Sequence, residues 1–275
     1  MVKTVLFLCG LAIIIGLILA APLFTRLRRK RLRDRPFPPS WQHILDRHLP
    51  FYEQLPAPLP KRLRGYIQVF LAEKRFIGCS GLNLTDEMRV TIAAQACLLV
   101  LHQERFYPTL KAIYVYPAAF LVNTKQSLGT YVLEEKVARR GESWEQGIVV
   151  LSWADIQHDV AHWHDGNNVV LHEFAHQLDQ EDGRTDGVPL LEHQADRVTW
   201  AQVFSQAYLA LQQDVKRGTK TVMDEYGATN PAEFFAVATE TFFEKAALMQ
   251  RHHPELYTML QRFYRLDPVS WRQPH

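Results

Sequence analysis

Two histidines four residues apart, with a glutamate beside the first, occupy positions 172–176: His172-Glu173-Phe174-Ala175-His176. On a helix, side chains four apart share a face and lie about 6 Å from each other. Both imidazoles can then reach one zinc ion. Glu173 projects beside the metal, placed to take a proton from a zinc-activated water and hand it to a leaving amine. The flanks Val169, Val170, Leu171, Phe174 and Ala175 are apolar, as a buried metal-bearing helix requires. Two hydrogen-bonded core histidines would show the same pattern, so the apolar helical setting is what favours the metal.

A catalytic zinc usually takes three protein ligands and leaves a fourth position for water. The third should come from another element, and the candidates are Asp179, Glu233, Glu240, Glu244 and the cluster His158, His162, His164. Asp179 lies on the His172 face but about two turns along, roughly 10 Å away, which suits a partner for an imidazole N–H better than a ligand. The three clustered histidines have loop-like spacing and read as ordinary surface residues. In Asn230-Pro231-Ala232-Glu233, Asn230 reads as an N-cap, Pro231 as the first helical residue and Glu233 as the third. That leaves a reading in which Glu233 only completes a capping box. Glu240 is one heptad further on the same face, and spacing does not separate the two.

The elements that must hold these residues are mostly helical. Residues 61–76 carry Leu63, Tyr66, Ile67, Phe70 and Leu71 at helical spacing. Thr85 is a helix N-cap with Asp86 and Glu87 in the first turn, and Val90 to Leu101 is apolar nearly all round, a buried helix. Ala112–Tyr116 and Gly147–Ser152 read as strands, with Gly141-Glu142-Ser143-Trp144 as a turn between them. Gly166-Asn167-Asn168 opens the histidine helix and Gly183 follows its end. Further helices are expected from Leu191 to Lys216, Pro231 to Met249 and Pro254 to Arg265. The fold class is α+β.

Thr4 to Thr25 contains no charged residue and is long enough to cross a ~30 Å hydrocarbon layer. Arg26, Arg28, Arg29, Lys30, Arg31, Arg33 and Arg35 follow, a block that resists translocation, against Lys3 alone before the segment. The expected organisation is a transmembrane anchor at 1–25, a basic then Pro-rich juxtamembrane segment at 26–60, partly packed through Trp41, Phe51 and Tyr52, and a catalytic domain at 61–275. The expected placement is a single-pass bacterial inner-membrane protein, its catalytic domain facing the cytoplasm. Net charge is +2, and outside the N-terminal block the chain is near neutral, so no direct nucleic-acid binding is expected. Cys9, Cys79 and Cys97 form no C-x-x-C pair and fit a reducing compartment.

Several separated motifs resemble Mlc titration factor A and its relatives. They are His172-Glu173-Phe174-Ala175-His176-Gln177-Leu178-Asp179, Asp186-Gly187-Val188-Pro189 and Tyr226-Gly227-Ala228-Thr229-Asn230-Pro231-Ala232-Glu233, with Thr85-Asp86-Glu87-Met88-Arg89 and Gly141-Glu142-Ser143-Trp144 in support. The likeness spans roughly residues 37–265. It implies a zincin-like metallopeptidase fold of the gluzincin type, similar to the anthrax lethal factor catalytic core. It further implies zinc held by His172, His176 and Glu233, with Glu173 as general base. The resemblance also implies that Tyr226 faces the metal as an oxyanion donor. The implied activity is peptide hydrolysis, leaning to aminopeptidase action on short peptides, with Gly147–Ser152 as an edge strand for the substrate. The alternative implied by the same resemblance is a regulatory protein that sequesters a transcriptional repressor.

Overall fold

The computed structural model describes residues 2–50, 52–103, 106–118, 120–128, 131–139, 141–144, 147–191 and 194–271. The helices of the N-terminal half are α1 (Val2–Arg33), α2 (Pro39–His48), α3 (Leu59–Glu73) and α4 (Asp86–Leu99). Thr85 Oγ1 accepts the Met88 N–H at 3.3 Å, and Asp86 and Glu87 follow in the first turn, so α4 starts where its sequence says. Behind that cap, Val90 to Leu99 is buried without interruption.

Strands β1 (Arg75–Gly78), β2 (Ala112–Tyr116), β3 (Phe120–Leu128), β4 (Tyr131–Arg139), β5 (Gly141–Trp144) and β6 (Ile148–Ser152) form two sheets. β3 and β4 pair only with each other, antiparallel. The other sheet runs β1-β2-β6-β5. Its first three strands are parallel, and Ile113, Val115, Val149 and Leu151 point into the core. β5 is antiparallel to β6. Two sequence expectations change here. Residues 141–144 are a strand where a turn was expected. β6 is bonded on both sides, which leaves no free edge on the stretch expected to receive a peptide.

The remaining helices are α5 (Trp153–Ala161), α6 (Val169–Asp179), α7 (Gln194–Arg217), α8 (Pro231–Glu244), α9 (Ala246–His252) and α10 (Pro254–Tyr264). The single helix expected over 231–249 is broken at Lys245, whose φ of −120° and ψ of 36° leave the helical region. No Gly or Pro marks the break. The Glu244 carbonyl instead lies 3.3 Å from His164 Nδ1, so a contact from another loop ends the helix. α8 is the central helix of the second half: every residue from Phe234 to Glu244 is buried. Phe174 of α6 meets Tyr107 edge-on at 5.0 Å and Phe70 at 5.8 Å, tying the histidine helix to α3 and the core.

The N-terminal expectation is overturned. No helix among the described residues is long and apolar enough to cross a membrane. The transmembrane helix before the α+β domain, and with it the single-pass inner-membrane placement, therefore does not stand. The uncharged run passes without a break into the arginine-rich block, giving one 32-residue helix that contains Pro22. The helix runs on through residue 25, and the end of α1 docks on α3. Arg29 makes a two-pronged bond to Glu73 at 3.0 and 2.8 Å, and Leu32 enters the core. In the following segment Trp41 Nε1 donates to Asp86 at 2.9 Å, and Tyr52 is buried. Phe51 lies outside the described residues.

Candidate metal centre

Helix α6 is fixed at its start by polar side chains. Asn168 Oδ1 accepts the Leu171 N–H at 2.9 Å, and Asp159 Oδ2 accepts the Val169 N–H at 2.8 Å. Those bonds satisfy two of the amides that a helix N-terminus leaves open. One face of α6 then buries Val170, Leu171, Phe174, Ala175 and Leu178. At about 1.5–3 kcal/mol for each large side chain, this packing holds the helix rigidly. The opposite face presents His172 and His176.

Helix α8 delivers the third group. Asn230 Oδ1 accepts the Glu233 N–H at 3.0 Å and Pro231 occupies the first helical position. The Glu233 carboxylate is not spent on capping. Its Oε2 lies 2.9 Å from His172 Nε2 and 3.3 Å from His176 Nε2, and the two Nε2 atoms are 3.2 Å apart. Among the described residues, His172, His176 and Glu233 are the group whose donor atoms converge as metal ligands would, all within 4.8 Å.

The structure separates Glu233 from Glu240, which spacing alone did not. Glu240 reaches the other side of the same imidazole: His172 Nδ1 donates to its Oε1 at 2.7 Å. A carboxylate can only accept, so this bond puts a proton on Nδ1 and turns Nε2 toward the cluster centre. Glu240 Oε2 also accepts the Asn168 N–H at 2.5 Å. Glu244, one turn on, accepts from Asn168 Nδ2 at 3.0 Å and from the Gly166 N–H at 2.9 Å. Neither Glu240 nor Glu244 joins the convergent group. Sequence reasoning listed both as ligand candidates and missed their use as braces for α6. The heptad spacing on α8 was the signal.

Asp179 is buried and turned toward the 186–189 motif, where its Oδ2 accepts the Gly187 N–H at 3.0 Å. Its Oδ1 and the Nδ1 of His176 are both buried without a hydrogen-bond partner. The expected bond from Asp179 to an imidazole is therefore not made. Gly187 itself has φ of +76°, and a Cβ there would stand 2.3 Å from the Pro231 carbonyl oxygen. The loop can thus lie directly against the start of α8 only with glycine at this position. His158, His162 and His164 are exposed and apart from the cluster. Glu173 is buried on α6, and its charge acts on His172. The Tyr226 ring is 6.0 Å from the His172 ring and half exposed, on a short 3-10 turn started by Asp224.

Burial and carboxylates set the charge state of this cluster in opposite senses. Burial works to lower the pKa of His172, but the Glu240 charge and the bonds to Glu233 and Glu240 outweigh it and hold the imidazole well above its usual range. Burial works to raise Glu233, but its bonds to His172 and His176 prevail and hold it well below the usual carboxylate range. Asp179 is pushed up to about 6, and Glu244 to about 8, chiefly by burial.

The sequence profile of the glucose-regulated metallo-peptidase M90 family matches residues 24–265. The chain belongs to this family. As an M90 member it is of the metallopeptidase class, and a metal ion belongs to that chemistry. Mlc titration factor A of Yersinia pestis is 34% identical over 239 residues, covering 84% of this chain and 86% of that protein, and Mlc titration factor A of Yersinia pseudotuberculosis matches to the same extent. An uncharacterized protein of Synechocystis sp. is 46% identical over 272 residues, 98% of this chain and 99% of its own length. Its match therefore takes in most of α1 as well as the M90 region.

Proposed function

We propose that the protein is a zinc-dependent peptidase, with His172, His176 and Glu233 as the metal ligands and Glu173 as the general base. The observation that carries this reading is the convergence of two Nε2 atoms and one carboxylate oxygen within 3.3 Å, beside a buried glutamate on the same helix. Two imidazoles and a carboxylate form the donor set of a catalytic zinc with one position left open. The mutual approach of three electron-pair donors supports it further, because without a cation or protons between them they would repel. Zinc, when bound, would polarise the scissile carbonyl and lower the pKa of a water toward about 7.

The chain's own groups supply the rest. Glu173 accepts the proton of the attacking water and returns it to the departing amine. Tyr226, on the rim of the cluster, donates its phenol O–H to the developing oxyanion. Glu240 holds the His172 ring so that Nε2 keeps its aim. An extended peptide would add along β5, the outer strand of the sheet beside α6, in place of β6. The family resemblance favours aminopeptidase action on short peptides.

The test is Glu173→Gln. The variant is expected to keep stoichiometric zinc and lose nearly all turnover on a peptide library. Ordinary cleavage by the variant refutes the mechanism.

The name of the Yersinia relatives, Mlc titration factor A, supports a second reading, in which the protein binds a transcriptional repressor. The same variant separates the two. A cellular effect that survives Glu173→Gln belongs to binding, and one that disappears belongs to catalysis.

A further inference from the structure

Where α1 docks on α3 there is a groove of about 520 Å³ whose rim carries Arg26, Arg29, Lys30, Arg33 and Arg62. Among the described residues, the carboxylate paired with this group is Glu73, and its partners are Arg29 and, at 4.0 Å, Arg28. Four rim cations thus converge on one concavity with no described counter-charge. Concave walls of low dielectric focus such a field. The floor is uncharged, made of Tyr66, Val69 and Phe106, all buried.

Three of the guanidiniums, those of Arg29, Arg33 and Arg62, are held in place, unlike those of a loose basic surface. Arg33 and Arg62 lie 5.9 and 5.5 Å from the centre of the Tyr66 ring, and Arg29 lies 5.4 Å from that of Phe106. Arg62 also donates to the Tyr66 hydroxyl at 3.4 Å. The helices meet closely because Gly65 has no side chain: a Cβ there would sit 3.1 Å from the Arg33 Cβ and Cγ. The Arg33 stem is therefore seated against the α3 backbone. Burial, and after it the charges of Arg62 and Arg265, pull nearby His102 below its usual range, in keeping with a local excess of positive charge.

We propose that this groove binds a soluble, multiply charged phosphoryl oxyanion, the phosphate ester or polyphosphate part of a small molecule. Planar guanidinium forks match phosphoryl oxygens in pairs, and forks already fixed by stacking lose less freedom when they close on a ligand. A single carboxylate would leave most of the rim charge unanswered. The volume suits a compact ligand. The groove shares no residue with the histidine cluster, so it is a separate site.

Inorganic tripolyphosphate is the probe, titrated calorimetrically into the full chain at ~150 mM salt, where loose surface attraction is screened. Saturable one-to-one binding is expected. Arg33→Ala and Arg62→Ala should each weaken it by about ten-fold or more, while Arg217→Ala, at the far end of α7, should leave it unchanged. If either alanine variant fails to fold, Arg26→Gln on the exposed rim gives the same reading. Absence of saturable binding at millimolar probe overturns the proposal. So does an equal loss in Arg217→Ala, or association with phosphatidylglycerol vesicles in place of the soluble probe.

Discussion

Glu240 Oε1 stands 2.7 Å from His172 Nδ1, on the side of the ring opposite Glu233 Oε2, which lies 2.9 Å from Nε2. The imidazole is thus gripped at both nitrogens by residues of one helix. An amide in place of this carboxylate keeps one acceptor oxygen where His172 Nδ1 and the Asn168 N–H use two, so it should leave the three convergent groups in place but loosen the aim of the ring. Glu240→Gln is expected to weaken metal affinity by roughly 10–100-fold. Competition with a chromogenic chelator measures it, and affinity equal to the parent protein would mean that Glu240 does not orient the site.

Metal uptake should release protons. In the metal-free cluster His172 titrates well above its usual range, so its Nε2 carries a proton at neutral pH. A metal ion takes that position and expels about one proton per ion. The release is read in a weakly buffered titration at pH 7, and affinity should fall as the pH is lowered. Uptake without proton release would contradict the charge state described.

Glu244 gives a pH dependence of the opposite kind to an ordinary surface carboxylate. Burial raises it from 4.5 to about 8 in the folded chain. The folded state therefore holds a proton that the unfolded state has lost between those values. Its contribution to stability is complete below about 4.5 and drains away as the pH rises through about 8, on the order of a few kcal/mol in all. Urea midpoints should fall between pH 5 and 8, and Glu244→Gln should flatten that slope. Parallel slopes in the two proteins would exclude Glu244 as the cause.

Gly187→Ala tests the contact between the 186–189 loop and α8. The added Cβ meets the Pro231 carbonyl oxygen at 2.3 Å in a backbone conformation that disfavours a side chain. A loss of roughly 1–3 kcal/mol in urea unfolding is expected. Because Pro231 opens the helix that carries Glu233, metal affinity should fall as well. Ala at position 183, also at positive φ but with open space around it, should cost less and leave the metal site alone.

The helix start signals were legible because they are local. Thr85, Asn168 and Asn230 each cap the helix that follows them, through bonds within three residues. The histidine pair stood out by its spacing and Glu233 through the family motif, and the structure brings the donor atoms of all three within 4.8 Å of one another. What the sequence hid depends on distant partners. α8 ends at Lys245 because the Glu244 carbonyl meets His164, eighty residues away. The strand at 141–144 exists because β6 offers it a ladder, whereas Gly and Ser alone suggest a turn. The N-terminal segment misled for a related reason. Its composition was read up to Thr25, but the helix continues into arginines that α3 holds.

Glu233, Glu240 and Glu244 rise along one side of α8 and engage α6 and the loop before it at the histidine face, the ring's far nitrogen and the cap. A helix pinned at successive levels by a single neighbour cannot slip or rotate on its own. The backbone amides of the two segments should exchange with solvent at a common slow rate, opening as one cooperative unit, and damage to any one of the three carboxylates should speed exchange along both.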